Sequence, residues 1–230
     1  MTASPCFPLR WPPVDADNIQ LYSMATPNGQ KVGIALEEME LSYDTHLIDI
    51  SKGDQHDKDF LRINPNGKIP AIIDPHGPED QSVLMMESIA ILIYLADKTG
   101  TLLPLNYLAR MEHLQWLIFQ AAHIGPMFGQ FGHFYVYAKD RTTDEYARHR
   151  YTKETRRLLR VLDRRLEGQD YLMGEYSIVD IATVPWVDCL DVFYKAADVL
   201  GLDDFANVQA WVARVTARPA YQAGRAVCKN

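Results

Sequence analysis

Apolar and polar residues first alternate at Ile19-Gln20-Leu21-Tyr22-Ser23, the two-residue period of a strand. The segment Ala25-Thr26-Pro27-Asn28-Gly29 breaks that pattern. Val32, Ala35, Leu36 and Met39 then recur at i, i+3, i+4 and i+7, one apolar face of a helix. Residues 43–50 read as a second strand, followed by the polar loop Ser51-Lys52-Gly53-Asp54-Gln55-His56 and a short helical stretch around Phe60. Ala71-Ile72-Ile73-Asp74 and Val83-Leu84-Met85-Met86 are short strands separated by the turn-rich Pro75-His76-Gly77-Pro78. From Ser88 a further helix places Ile89, Leu92, Ile93 and Ala96 on one face.

The predicted order is β-α-β-α-β-β-α, with a right-handed crossover between the first two strands and a hairpin closing the sheet. That order fits a thioredoxin-like α/β domain. Thr99-Gly100-Thr101 and Pro104 end the last of these helices, and strand signals stop there. Residues 110–123 and 146–166 are long amphipathic runs, and 178–200 and 205–217 read as further helices. The expected organisation is an irregular, proline-rich extension over 1–17, a thioredoxin-like domain over 18–100 and an all-helical domain over 105–230.

At 230 residues the chain has room for two modest domains, and 47% hydrophobic with 23% charged residues is ordinary for a globular protein. A net charge of −7 argues against general affinity for nucleic acid or anionic membranes, without forbidding a local basic pocket. No apolar run reaches membrane-spanning length, and the N-terminal residues lack the pattern of a signal peptide. The three cysteines Cys6, Cys189 and Cys228 lie far apart with no CxxC pair, which suggests neither a disulfide framework nor a zinc site. A reducing cytoplasm is the expected compartment. The seven histidines show no metal-ligand spacing, so no metal is expected.

Three segments carry candidate chemistry. In Thr26-Pro27-Asn28-Gly29, Thr26 suits a helix N-cap and Pro27 the first helical position. This is either a well-made helix start alone or one whose free N–H groups face a ligand thiolate or disulfide. In Asn64-Pro65-Asn66-Gly67-Lys68-Ile69-Pro70, a cis Ile69-Pro70 bond would expose the Ile69 backbone to an extended, peptide-like ligand, whereas a trans bond leaves an ordinary turn. Lys68 either holds a carboxylate or is solvated. In Met86-Glu87-Ser88, Ser88 reads as an N-cap; the pair also suits an amino-acid group, with Glu87 on the ammonium and Ser88 on the α-carboxylate.

These segments together resemble the glutathione-binding domain of soluble glutathione transferases, from Leu21 through Leu103. More narrowly, Leu21-Tyr22-Ser23, the 26–32 and 64–70 motifs and Glu87-Ser88 are similar to the bacterial Nu class, relatives of the yeast prion-forming nitrogen regulator. The likeness continues through Gly129-Gln130-Phe131-Gly132-His133-Phe134-Tyr135 and Tyr146-Ala147-Arg148-His149-Arg150-Tyr151. Met24-Ala25 departs from relatives that carry proline or glycine there.

The resemblance implies an enzyme that binds two glutathiones, or one glutathione disulfide, and acts chiefly as a glutathione-dependent disulfide reductase. Thr26 and Asn28 would lie near the sulfurs. Gln55, Lys68, Ile69, Glu87 and Ser88 would hold the first glutathione; Gln130, His133 and Arg150 are candidates for the second. It also implies a homodimer and a small disulfide or electrophile as substrate. Conjugation of glutathione to electrophiles, with peroxidase activity as a side reaction, and a non-catalytic glutathione-binding regulator remain open as alternatives.

Other residues read as structural. Tyr22 and Ser23 lie within a strand, although other transferase classes use such a hydroxyl to activate the thiol. No cysteine stands near the first helix start, so a protein thiolate nucleophile is not expected. Ser177-Ile178-Val179-Asp180 is a capping box, and Arg156, Arg157, Arg160, Arg164 and Arg165 form a basic helix face with salt-bridge partners.

Overall fold

A computed structural model describes residues 7–229; residues 1–6, with Cys6, and residue 230 lie outside the described residues. The chain divides into two compact units, one comprising Leu102–Arg218 and the other the residues up to Thr101 together with those from Pro219 on.

The first unit opens with β1 (Ile19–Ser23), α1 (Pro27–Glu38), β2 (Tyr43–Leu47), α2 (Lys58–Ile63), β3 (Ala71–Asp74), β4 (Val83–Met86) and α3 (Ser88–Thr99). The predicted order of elements is the observed one. The sheet runs β2-β1-β3-β4, with β1 and β2 parallel and the other pairs antiparallel. Leu21 faces Ile72 across the β1–β3 pair, and both are fully buried. Their burial fixes the register, since a one-residue slip would turn both strands' apolar sets to the other face.

Two expectations shift. The second strand stops at Leu47 rather than 50, because β1 ends at Ser23, whose carbonyl takes the last pairing bond from Ile48 N–H at 2.9 Å. Beyond it the Asp49 carboxylate folds the chain by accepting Ser51 N–H at 3.0 Å and Ser51 O–H at 2.6 Å. The buried face of α3 is Ser88, Ile91, Leu92, Leu95 and Ala96, offset from the predicted one. Residues 89–93 are all apolar, so periodicity alone does not phase them.

Residues 7–17 form no helix or strand but are tied down. Arg10 bridges Asp54 and Asp57, at 2.5 and 3.1 Å, and the Asp44 carboxylate accepts Val14 and Asp15 N–H groups at 2.7 Å each. Phe7 and Trp11 pack against the cluster of Tyr22, Ile48 and Phe60.

The second unit is helical: α4 (Tyr107–Phe119), α5 (Gly125–Gly132), α6 (Tyr146–Arg165), α7 (Ile178–Val192), α8 (Ala197–Leu200) and α9 (Ala206–Thr216). The helical run expected over 110–123 starts earlier, with Asn106 as cap, and passes into a wide π-helical turn at Gln120–Ile124, just before Pro126. Pro126 has no N–H with which to continue an α-helical ladder. The run expected over 178–200 is two helices. Tyr194 N–H bonds to Cys189 O and Ala196 N–H to Leu190 O, with Lys195 at φ +53°, which unwinds the chain between them.

The predicted capping box is present at the start of α7, with Ser177 accepting from Val179 N–H and Asp180 from Ser177 N–H. Asp180 also accepts from Trp211 Nε1 at 2.8 Å and Leu172 N–H at 3.0 Å, so one buried carboxylate joins three segments. Of the basic face of α6, Arg156 pairs with Asp204, Arg157 with Glu154 and Arg165 with Glu112.

The last helix, α10 (Pro219–Gly224), belongs to the first unit and packs against α1. A Cβ on Gly33 would stand 2.5 Å from Gly224 O, and one on Gly224 2.4 Å from both N and Cα of Ile34. Two glycines thus let the helix backbones touch. Among the described residues, no helix is long and apolar enough to cross a membrane.

Candidate active site

The start of α1 follows from its sequence. Thr26 is extended, with its Oγ1 accepting from Gly29 N–H at 3.3 Å, and Pro27 occupies the first helical turn. Because that bond uses only an acceptor lone pair, the Thr26 hydroxyl hydrogen remains available to donate. The helix N-terminus favours negative charge in front of it.

The loop from 64 to 70 is organised by Asn64, which is buried. Its Oδ1 accepts Asn66 N–H at 2.9 Å and its Nδ2 donates to Lys68 O at 2.6 Å. Gly67, at φ +62°, takes the left-handed turn between them. The Ile69-Pro70 bond is cis, and neither the N–H nor the C=O of Ile69 bonds to another backbone group among the described residues. An extended ligand could pair there.

Glu87 joins β4 to α3 with φ +70° and ψ 110°. Such a backbone in a residue with a Cβ costs on the order of 1–3 kcal/mol and is characteristic of functional positions. Glu87 precedes the helix, and Ser88 is its first residue rather than its N-cap, so the Ser88 hydroxyl is not spent on capping. Instead it meets Lys31 Nζ at 3.3 Å.

These segments enclose a cavity of about 240 Å³ lined by Asn28, Asn64, Asn66, Lys68, Ile69, Pro70, Glu87 and Ser88. Five of the predicted residues, Asn28, Lys68, Ile69, Glu87 and Ser88, therefore meet in one place. The lining offers one acid, one base and several amides, a set matched to a zwitterionic amino-acid group. The volume is below the ~300 Å³ lower end for whole ligands, so a tripeptide would seat one end here.

Thr26 and Gln55 are not in that lining. Gln55 sits on the turn Asp54–His56, whose backbone packs on Gly67, and its Oε1 is buried without a hydrogen-bond partner. Gln130, His133 and Arg150 are exposed residues of the second unit. Arg150 borders a cavity of about 610 Å³ along with His149, Lys153, Arg157 and Arg160, but Gln130 and His133 do not line it.

Sequence reasoning did not single out Asn64 and Asn66, which line the cavity, or Lys31, which meets Ser88 behind it. The first two stood inside the quoted 64–70 motif. Lys31 gave no signal, since a lysine in a helix ordinarily reads as solvated; here it is 2% exposed, and burial brings its amine down to about 7 against the opposing pull of Glu87.

The structural residues behave as such. Tyr22 is fully buried and stacked on His46, and burial pushes its hydroxyl well above the ordinary range. Burial pushes the Cys189 thiol up to about 12 and that of Cys228 to about 11, so both are protonated near neutral pH. No group of three or more His, Cys, Asp or Glu among the described residues is arranged to hold a metal ion.

A thioredoxin-like sheet with a cis-proline loop, a Glu-Ser helix start and a following helical unit defines a class that known proteins then specify. Residues 25–98 match the glutathione S-transferase N-terminal domain and residues 124–219 the glutathione S-transferase C-terminal domain. Disulfide-bond oxidoreductase YfcG of Escherichia coli (strain K12) is 44% identical over 214 residues, which cover 92% of this chain and 95% of YfcG. A glutathione transferase from Pseudomonas putida, solved with one glutathione disulfide per subunit, superposes with a TM-score of 0.93 at 46% identity, covering 94% of each chain. One from Pseudomonas fluorescens pf-5, solved with two glutathiones bound, gives 0.93 at 49% identity, covering 95% of this chain and 96% of that one. The chain belongs to the glutathione S-transferase family.

Proposed function

We propose that this protein is a glutathione-dependent disulfide-bond reductase whose first-unit cavity seats the γ-glutamyl end of glutathione. The observation that carries the reading is the meeting of Asn28, Lys68, Ile69, Glu87 and Ser88 around one polar cavity. Glu87 takes the ligand ammonium, Ser88 with the α3 N–H groups takes its α-carboxylate, and the Ile69 backbone pairs with the cysteinyl peptide. Gln55, through its unpartnered Oε1, accepts an N–H from the far end of the ligand. Thr26 and Asn28, at the head of α1, stabilise the sulfur as thiolate. Gln130, His133 and Arg150 serve a second glutathione, in keeping with the two glutathiones or one disulfide bound by the Pseudomonas relatives.

The chemistry is thiol–disulfide exchange. The bound thiolate attacks the glutathione sulfur of a mixed disulfide, forming glutathione disulfide; the old S–S bond breaks, and the departing thiolate takes a proton from solvent. The protein supplies orientation and thiolate stabilisation, and neither Cys189 nor Cys228 is poised as a nucleophile. The name of the YfcG relative supports reduction over conjugation. We also infer a homodimer, supported by the exposed apolar residues Leu108, Met111 and Ile118 on α4.

The test is turnover of a small glutathione mixed disulfide in a coupled assay, alongside mass spectrometry of the ligand carried through gentle purification. Disulfide reduction well above the rate with a chlorinated aromatic electrophile is expected. Absence of both turnover and bound glutathione disulfide refutes the proposal, and a dominant conjugation rate replaces it with the transferase reading.

A further inference from the structure

Lys31 lies on the inner face of α1, among the buried residues Gly29, Val32, Gly33 and Ile34. A buried ammonium is costly unless its hydrogen bonds and charge are answered, so such a residue is retained where something answers it. Its Nζ approaches Ser88 Oγ at 3.3 Å, and the acid that acts on it is Glu87. Both of those residues line the cavity.

Several other titratable groups on and around α1 have partners of their own. On α3, Tyr94 and Lys98 both bind the Asp74 carboxylate, and Asp97 lies toward the far end of the helix. In the C-terminal segment Arg225 lies over the Tyr221 ring, and Cys228 stays a neutral thiol. Glu37, near the C-terminal end of α1, accepts from Tyr43.

The direction of the Lys31–Ser88 bond depends on the amine's charge. A neutral amine has a lone pair and can accept the Ser88 hydroxyl proton, turning that hydroxyl away from the cavity. An ammonium has only donors, so it must donate to Ser88 Oγ, which leaves the Ser88 O–H to point at a ligand. We propose that Lys31 is a positioning residue whose protonation is coupled to carboxylate binding: a γ-glutamyl α-carboxylate arriving at Ser88 draws a proton from solvent onto Lys31, which then holds the Ser88 hydroxyl as a donor to that carboxylate. The proposal rests on reading the cavity as the γ-glutamyl end of a glutathione site.

The experiment is calorimetric titration with S-methylglutathione, which has no ionisable thiol, at pH 8 in buffers of different ionisation enthalpy. Expected is a net uptake of protons on binding, since burial leaves the amine largely neutral at pH 8 until the carboxylate arrives. The dissociation constant should weaken as pH rises from about 7.5 to 8.5, approaching tenfold per pH unit. Lys31→Met, which keeps the length of the chain without its charge, should remove most of the uptake and of that pH dependence, leaving only the share of the ligand's own α-amino group. Wild-type binding without proton uptake overturns the proposal and leaves the glutathione reading standing, and so does uptake as large in Lys31→Met as in the wild type. Failure of the wild type to bind S-methylglutathione overturns the glutathione reading and the proposal with it. The wild-type measurement needs no variant to fold.

Discussion

The proposed function gives Thr26 two separable duties, and a short series of substitutions tells them apart. Its Oγ1 caps α1 through Gly29 N–H, while its hydroxyl hydrogen is free to stabilise a glutathione thiolate. Thr26→Ala removes both, and Thr26→Ser keeps both. Loss of the cap costs about 1 kcal/mol of stability, within a range of ~0.5–2. For a chain of this size that is a fall in Tm of about 2–4 °C. Loss of a hydrogen bond to a charged sulfur costs ~1.5–3 kcal/mol, which is roughly a 10- to 150-fold loss in kcat/KM for disulfide reduction. It also raises the thiol pKa of bound glutathione by about one to two units. Calorimetric melting, steady-state reduction of a glutathione mixed disulfide, and thiolate absorbance near 240 nm against pH read the three quantities separately. Thr26→Ser should remain close to wild type in all three. If Thr26→Ala melts lower but keeps kcat/KM and thiolate absorbance within twofold, Thr26 is a helix cap only, and the sulfur is stabilised elsewhere.

Gly224→Ala forces a methyl against the backbone of Ile34, so α10 must move off α1; overpacking of this kind costs ~1–3 kcal/mol, and denaturant melts should show it. Asp180→Ala leaves Trp211 Nε1–H and the Leu172 and Ser177 N–H groups without their acceptor. At ~1–3 kcal/mol for each buried orphan, a loss of several kcal/mol or a failure to accumulate folded protein is expected, seen as loss of the cooperative unfolding transition. Lys31 gives the ligand-free protein a pH signature. Its pKa is lowered on folding from 10.5 to about 7, so between those values the unfolded chain binds more protons and the Lys31 contribution to stability rises with pH. Equilibrium unfolding from pH 7 to 10 should show that component in wild type and lose it in Lys31→Met.

The sheet and its order were legible because β1 alternates, β3 is rich in isoleucine, and β3 and β4 are short apolar runs on either side of a turn-rich segment. The site was legible where it depended on backbone chemistry: Pro27 at a helix start, Gly67 and Pro70 in a turn, Ser88 opening a helix. Three things stayed hidden for physical reasons. The phase of α3 is invisible in a continuous apolar run. The role of Ser88 as first helical residue rather than cap turns on Glu87 adopting a positive φ, which no residue preference announces. Lys31 and α10 depend on tertiary proximity alone: nothing in the sequence tells a buried helical lysine from a solvated one, and a six-residue helix carries no period to read.

The return of α10 to the first unit has a practical corollary for protein engineering. Ala25 N–H, one residue ahead of the Thr26 turn, donates to Cys228 O at 3.1 Å, so residues more than two hundred positions apart share the entrance to one helix. The first unit is thus written in two separate stretches of the sequence. An excised fragment ending near 101 would uncover α1 at Gly33 and Ile34, and a chimera spliced there would join one parent's helix to the other's closing strap. Exchanges between relatives should carry residues 219–229 along with the N-terminal half, and a fusion partner attached just after them would sit beside the turn assigned to the sulfur.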